Sequence, residues 1–372
     1  MNGPKSSGYR TRALKASVTL NQLQNQTSMY PLSDQRTGRY GFVRDSDWVI
    51  EPQFSYANYF ACGFAAVTMA TGESALVDAN GNVTSLADIL TINDKSIFEE
   101  SFIGFTDNNG SPMPHATVKT HAHQKIEWFV LGTDLRYRKL PDSVFANIDG
   151  VDLVGDWIIA KRTIGHLSHR CGIYSIREDK LLLDLDYNWI YPSPDGLYVI
   201  NRDATNSDSA SNSYYDIENE CFVSDWYYSA IPHHCGYGAV QETANSDWYF
   251  VDSLIDKAFP LQFDGVERFS NDLAGVYLAD KSGYLDTNGE LVLELHYEQL
   301  GPFDHLGHAI VNRDELEWDL DVIDRGGAVL LEGASTLVFW DGDHPCYEVE
   351  MDGEQKLLDC RLIPVNPPST SR

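Results

Sequence analysis

The residues of this chain best equipped for chemistry are its histidines and its carboxylates. His121 and His123, one residue apart, set two imidazoles on one face of an extended strand, a spacing that can serve a metal ion. No cysteine or carboxylate stands nearby at ligand spacing, so the pair is expected to carry no metal. His233, His234 and Cys235 are neighbours in sequence, but adjacent side chains on an extended chain point to opposite sides, which argues against a joint site. His305 and His308 flank Gly307 and read as solvated loop residues. No Gly-x-Ser-x-Gly, phosphate loop or dinucleotide fingerprint opens a helix. The strings from Asp78 to Gly81 and from Asp286 to Gly289 resemble the start of a calcium loop, but no glutamate closes either at the twelfth position. The expectation is a chain without catalytic residues, metal or cofactor.

The carboxylates are the stronger signal. In Glu317-Trp318-Asp319-Leu320-Asp321-Val322 they alternate with apolar residues. On a strand, that period turns Trp318, Leu320 and Val322 to the core and lines Glu317, Asp319 and Asp321 along the outer face. Asp314 and Glu315 extend the strip, and Glu348, Glu350, Asp352 and Glu354 follow in the next hairpin. Three like charges on one face repel one another unless a cation compensates. Such a strip either guards a solvated edge against aggregation or docks a basic partner, where charge raises the association rate and sets specificity. The candidate partner-binding residues are Asp314, Glu315, Glu317, Asp319, Asp321, Glu348 and Glu350.

Charge across the whole chain points the same way. Acidic residues outnumber basic ones 55 to 27, a formal net charge of −28. Residues 1–38 hold Lys5, Arg10, Arg12, Lys15 and Arg36 against Asp34 alone, so the rest of the chain has 54 acidic and 22 basic residues, a formal −32. A field of that sign repels phosphate backbones and anionic lipid and attracts cations, which argues against nucleic acid and membrane as partners. No secretory signal is visible, because Leu14 to Leu20 alternates apolar and polar residues where an apolar run would be needed. The six cysteines are far apart and form no Cys-x-x-Cys. Cys346 and Cys360 flank an expected hairpin turn at Asp352-Gly353, which pairs Cys346 with Asp359 and turns the two sulfurs to opposite faces. Reduced thiols and a cytoplasmic location are expected.

The elements that must position these residues are hairpins. Gly283-Tyr284-Leu285-Asp286-Thr287-Asn288-Gly289-Glu290-Leu291-Val292 centres an Asn-Gly between apolar runs, and the spacing predicts a type I′ hairpin turn. Leu76 to Val83 and Val322 to Val329 repeat the string, and Tyr40 to Ile50 is a looser copy with Ser46-Asp47 at its turn. A second half follows: an aromatic (Phe54, Tyr297), another six residues on (Phe60, Phe303), a glycine (Gly63, Gly307) and a short apolar strand (Ala65 to Val67, Ala309 to Val311). The glycine-then-strand signal recurs at Gly104, Gly155, Gly196, Gly236 and Gly275, at intervals near 40 residues. A module of this size cannot bury its apolar face alone, so neighbours must stack on it.

These strings resemble the WG β-repeat of many bacterial proteins. The likeness is good at residues 40–67 and 283–311, partial at 75–84 and 321–331, and degenerate between about 100 and 260. The tryptophan that gives the repeat its name is replaced by Tyr40 before Gly41 and by Ser282 before Gly283. The resemblance implies a repeated β architecture and a bacterial origin, and it supplies no catalytic residue.

The expected fold is all-β: a propeller-like ring of seven or eight blades, with an open β superhelix as the alternative, since closure hides strand edges. Residues 1–38 form an arm whose strand at Leu14 to Leu20 closes the ring against the C-terminal units. Residues 39–362 form one repeat domain and 363–372 a disordered tail. The expected function is a non-enzymatic scaffold that binds a basic protein, most concretely an immunity protein that neutralises a cationic toxin such as a nuclease. The alternatives are a carbohydrate-binding repeat protein, with Trp48, Trp189, Trp226 or Trp340 as sugar platforms, and a propeller-type hydrolase or lyase.

Overall fold

The repeated strings do form hairpins, but their turns are one residue longer than expected. In the turn from Asp78 to Asn82 only Gly81 takes a positive φ, 83°. Gly81 N–H donates to the Asp78 carbonyl at 2.9 Å and Asp78 N–H to the Asn82 carbonyl at 3.0 Å. This is a three-residue loop, a type I turn followed by a left-handed residue, in place of the type I′ turn. The aspartate organises it. The Asp78 carboxylate accepts from Asn80 and Asn82 N–H, both at 2.9 Å. Asp286 does the same with Asn288 and Glu290, and Asp324 with Gly326 and Ala328. Asp252, Asp304 and Asp359 build like turns without the Asn-Gly string. True two-residue turns occur at Asp45-Ser46, one residue before the expected position, and at Asp352-Gly353. The latter pairs Cys346 with Asp359 as expected, and all six cysteines are free.

One glycine per hairpin has a steric reason. A Cβ on Gly41 would lie 2.4 Å from the Ile50 carbonyl oxygen, one on Gly283 2.4 Å from that of Leu293, and one on Gly172 2.5 Å from that of Leu183. Register with the neighbouring strand breaks across Gly41 and across Gly172, and next to Gly283, between Tyr284 and Leu285. The bulged partner strand lays its backbone where a side chain would stand.

The computed structural model describes residues 28–366 apart from 91–98, 102–104, 106–112, 114, 123–124, 165–167, 204–208, 280 and 314–318. Among the described residues, nine antiparallel sheets follow one another along the chain, at residues 30–54, 56–85, 99–139, 150–187, 189–222, 229–251, 265–295, 299–334 and 336–359. Strands pair only with their neighbours in sequence. The first, sixth and ninth sheets have three strands and the others four. Single residues, Ser55, Asn188 and Ser335, link the last strand of one sheet to the first of the next in three places. The described helices are two four-residue turns, Leu86–Ile89 and Asp142–Phe145, and neither is long enough to cross a membrane.

Apolar side chains between consecutive sheets hold the array together. Phe42, Ile50 and Phe54 of the first sheet pack on Ala57, Phe60 and Val77 of the second. The same occurs at each junction up to that of the eighth and ninth, where Val322 and Ala334 meet Tyr347 and Val349. A ninth cluster joins the ends of the chain: Cys346, Trp340 and Leu357 of the last sheet pack on Tyr30 and Val43 of the first. Nine sheets with nine apolar junctions make a closed ring of nine blades, which rules out the open superhelix and corrects the expected seven or eight. First strands begin at residues 30, 56, 99, 150, 189, 229, 265, 299 and 336. A period of 40 therefore overlooks the short first unit and overestimates the last ones.

Two boundaries also shift. Within the expected arm, Tyr30–Ser33 is the first strand of the first sheet, paired with Tyr40–Arg44. Beyond residue 362, Val365 N–H donates to the Leu357 carbonyl at 2.8 Å and so extends the last sheet. The expected closing strand at Leu14 to Leu20 and residues 367–372 of the expected tail lie outside the described residues.

Among the described residues, no strand of the first sheet pairs with one of the last, and a polar clasp backs the apolar seam. Asp343 accepts from Cys62 and Gly63 N–H at 2.9 and 2.7 Å, and its own N–H donates to the Phe60 carbonyl at 2.8 Å. Tyr59 stacks on Trp340 at 5.2 Å and donates to Glu348 at 2.6 Å. Asp195 grips the turn of the following sheet in a similar way, accepting from Gly236 N–H at 2.7 Å. Asp343→Ala removes a charged acceptor from two N–H groups and should cost about 1.5–3 kcal/mol. Because it releases both chain ends, amide exchange should quicken in residues 30–54 and 336–359 together. Asp195→Ala should quicken exchange only within residues 189–251. Equally local changes in both variants would refute the clasp.

Candidate binding surface

The acidic strip does not survive as a single outward face. In the strand Leu320–Asp324, Asp321, Val322 and Ile323 are all buried. A middle strand in the ring has a sheet on either side. Ile323 packs toward the seventh sheet and Val322 toward the ninth, so alternation does not separate core from solvent. Asp321 is fully buried. It takes Arg313 Nε at 2.7 Å and Nη2 at 2.6 Å, and accepts Gly333 N–H at 3.0 Å. Arg313 also reaches Glu332 at 2.9 Å and Asp319 at 3.6 Å. The hydrogen bond to Asp321, followed by that to Glu332, holds the guanidinium above its ordinary pKa. Asp321 is therefore a structural ion-pair residue and is withdrawn from the docking set. Asp314, Glu315 and Glu317 lie outside the described residues. Glu348 and Glu350 share one face of the ninth sheet. Glu348 is exposed and accepts from Tyr59, while Glu350 is half-buried and accepts from Gln355 at 2.8 Å.

Charge is spread unevenly round the ring. Residues 229–359, from the first strand of the sixth sheet to the last of the ninth, hold 27 acidic and 6 basic residues, whereas residues 99–187 of the third and fourth hold 13 and 10. In the latter arc the cations meet local carboxylates: Lys139 with Glu127 and Asp142, Lys161 with Asp152, Arg138 with Asp179. Too few cations stand in the sixth to ninth sheets to do the same, so that arc carries the field a cationic partner would feel.

The histidines serve other ends. His123 and the side chain of His121 lie outside the described residues. His233 is fully buried, with neither ring nitrogen hydrogen-bonded. It packs at 84° on Tyr214, and the two rings fit because position 238 is glycine, whose Cβ would fall within 2.5 Å of both. Burial lowers the pKa of His233 to about 4, and burial with Arg268 nearby does the same for His234. His305 and His308 are not free loop residues: His305 meets Asp341 at 3.0 Å, which raises its pKa, and His308 Nδ1 lies 2.8 Å from the Tyr347 hydroxyl. Both thereby tie the eighth sheet to the ninth. Among the described residues no three His, Cys, Asp or Glu side chains converge to hold a metal ion. Of the four tryptophans proposed as platforms, Trp48, Trp226 and Trp340 are half-buried and Trp189 is exposed.

The model of the WG containing repeat matches residues 44–69, 256–281 and 283–316. It reaches 256–281, where the residues showed only a weak glycine signal, and passes over 75–84 and 321–331. No curated protein matches the chain in sequence. A solved eukaryotic initiation factor structure is 12% identical, covers 92% of this chain and 96% of its own, and superposes with a TM-score of 0.55, a likeness of fold alone. The Dos1 propeller (9% identity, 90% and 88% coverage, TM-score 0.38) and lmo1340 of Listeria monocytogenes EGD-e (8%, 75% and 98%, 0.42) are more distant matches.

Two outcomes test these assignments. Asp321→Ala leaves Arg313 without its buried partner and should cost about 3–5 kcal/mol, whereas Asp319→Asn should stay within about 0.5 kcal/mol; urea denaturation distinguishes them, and equal small effects would return Asp321 to the surface. The buried histidines give a pH dependence. With pKa values near 4 folded and about 6.5 unfolded, the unfolded chain binds more protons between those limits, so stability falls as pH drops from about 6.5 to 4. For His233 the loss approaches about 3 kcal/mol. His233→Phe should lower the slope of stability against pH by about one proton in that window; an unchanged slope would contradict the assignment.

Proposed function

We propose that this chain, a WG-repeat protein built as a nine-bladed ring, is a non-enzymatic scaffold that binds a basic protein through the acidic arc of its sixth to ninth sheets. The observation that carries this reading is the imbalance of 27 acidic against 6 basic residues over that arc, residues 229–359. Such a field raises the encounter rate with a cationic surface and disfavours acidic competitors. A ring fastened at nine junctions is a rigid platform, so docking loses little to ordering. In its most concrete form the chain is an immunity or inhibitor protein that covers the active site of a toxin such as a nuclease, presenting carboxylates where the toxin binds phosphates. Six free cysteines suit a reducing, cytoplasmic setting.

The docking surface differs from the strip read in the sequence. Asp321 leaves it, while Asp319, Glu348, Glu350 and Glu354 stay. The test is capture on the immobilised chain at two salt concentrations. A basic protein should be held at low ionic strength and released near 1 M, where the screening length falls to about 3 Å. Glu350→Lys with Glu354→Lys should slow association about tenfold or more, and Asp134→Lys in the third sheet should not. A partner that is acidic, indifferent to salt or indifferent to the ninth-sheet reversals would refute the proposal.

A further inference from the structure

Residues 1–27, which lie outside the described residues, differ in charge from the ring they lead into. They hold Lys5, Arg10, Arg12 and Lys15 and no Asp or Glu, so these cations have no counter-ion within their own segment. The ninth sheet is the reverse. Residues 336–359 hold seven acidic residues against Lys356 alone. The chain also enters the ring beside this sheet: Tyr30, three residues past the segment, packs on Cys346, and its ring lies 6.3 Å from that of His344.

The side of the ninth sheet that meets this entry is covered along only part of its length. Trp340, Cys346 and Leu357 pack against the first sheet. Val338 and Glu348 stand opposite each other two residues further along the same strands, so they share that side. Val338 is nevertheless 47% exposed, and Glu348 is exposed as well. Thr336 and Glu350, the next opposed pair, continue the side. Tyrosines border it. Tyr59 donates to Glu348 at 2.6 Å, and the rings of Tyr40 and Tyr56 lie 5.8 Å apart. Partial burial, then Tyr40 and Glu348, raise the Tyr56 pKa, which places that hydroxyl near the carboxylate. Lys356, the sheet's one cation, stands on the other side, opposite Val349, and pairs with Glu354 at 3.4 Å.

An exposed carboxylate beside tyrosine rings and a valine fits a cation carried on an apolar stem. The carboxylate takes the charge of a guanidinium or ammonium group, and the rings and Val338 take its methylenes. Arg10, Arg12 and Lys15 offer three such stems close together in sequence. They are also within reach. Glu348 lies two residues, about 7 Å, along its strand from Cys346, against which Tyr30 packs. Lys15 precedes Ser28 by 13 residues, a stretch that spans about 43 Å when extended. Tethering gives the segment an effective concentration on the order of millimolar at that surface. A second copy of the chain would bring a ring of the same negative sign against the first, which opposes the contact.

We propose that residues 1–27 lie across the Val338–Glu348–Glu350 side of the ninth sheet of their own chain, setting Arg10, Arg12 and Lys15 against Glu348 and Glu350. The contact deepens the docking reading, and one consequence rests on that reading: a basic partner must displace the segment before it reaches these carboxylates. Trypsin cleavage after Lys15 in the full chain, set against cleavage of a synthetic peptide of residues 1–27, tests it. At low ionic strength the chain should be cut about tenfold or more slowly than the peptide. The difference should vanish near 1 M salt, where the screening length falls to about 3 Å. It should also vanish in Glu348→Gln with Glu350→Gln, a pair that keeps an acceptor for Tyr59, with the thermal midpoint confirming the fold. Arg10→Gln with Arg12→Gln, outside the ring, should release Lys15 as well, and Asp134→Asn in the third sheet should not. Carbodiimide coupling in a mixture of isotope-labelled and unlabelled chains should join Lys15 to Glu348 or Glu350 within one chain. Cleavage as fast as in the peptide, protection that survives the glutamine pair, or coupling only between chains would overturn the proposal. The cleavage assay holds no partner, so its failure and the failure of basic-protein capture read out separately.

Discussion

A sheet of three or four short strands has two apolar faces and no second layer of its own, and the molecule is organised by the need to cover both. Each junction solves this for two faces at once. Phe42 and Phe54 are covered by the second sheet, and Val43 of the same strand as Phe42 is covered by the ninth. A linear stack would leave one face bare at each end, and burying a side chain of this size is worth about 1.5–3 kcal/mol. Closure removes both bare ends. It also makes the seam between the ninth sheet and the first two the one junction with no covalent link between its sides, and there Asp343, Tyr59 and Glu348 add polar contacts to the packing.

Local chemistry was legible in the sequence and long-range arrangement was not. The Asp-x-Asn-Gly strings marked hairpins because an aspartate that caps its own turn and a glycine that takes positive φ act within five residues. The exact turn type was missed, since a two-residue and a three-residue loop use the same Asn-Gly. The pairing of Cys346 with Asp359 followed from the Asp352-Gly353 turn alone. The number of blades did not follow, because it depends on units of unequal length, and those between residues 100 and 260 carry little of the repeat string.

The acidic strand shows why alternation misleads in a ring. The pattern from Glu317 to Val322 would separate core from solvent in a sheet with one wet face. Here the middle strands are dry on both sides, and Asp321 enters the interior with Arg313 as its counter-ion. The partner was visible eight residues upstream but had no reason to be singled out among so many charges. Trp189 was noted for its residue type, whereas its exposure depends on which face the fourth sheet covers.

The closed ring is the claim from which these assignments follow, and small-angle X-ray scattering of the full chain tests it most directly. A compact particle of 372 residues should have a radius of gyration of about 21 Å. Nine sheets stacked about 10 Å apart in an open array would extend about 90 Å, with a radius of gyration above about 27 Å by the same spacing. A value near the first supports closure at the seam, and a value near the second would contradict it.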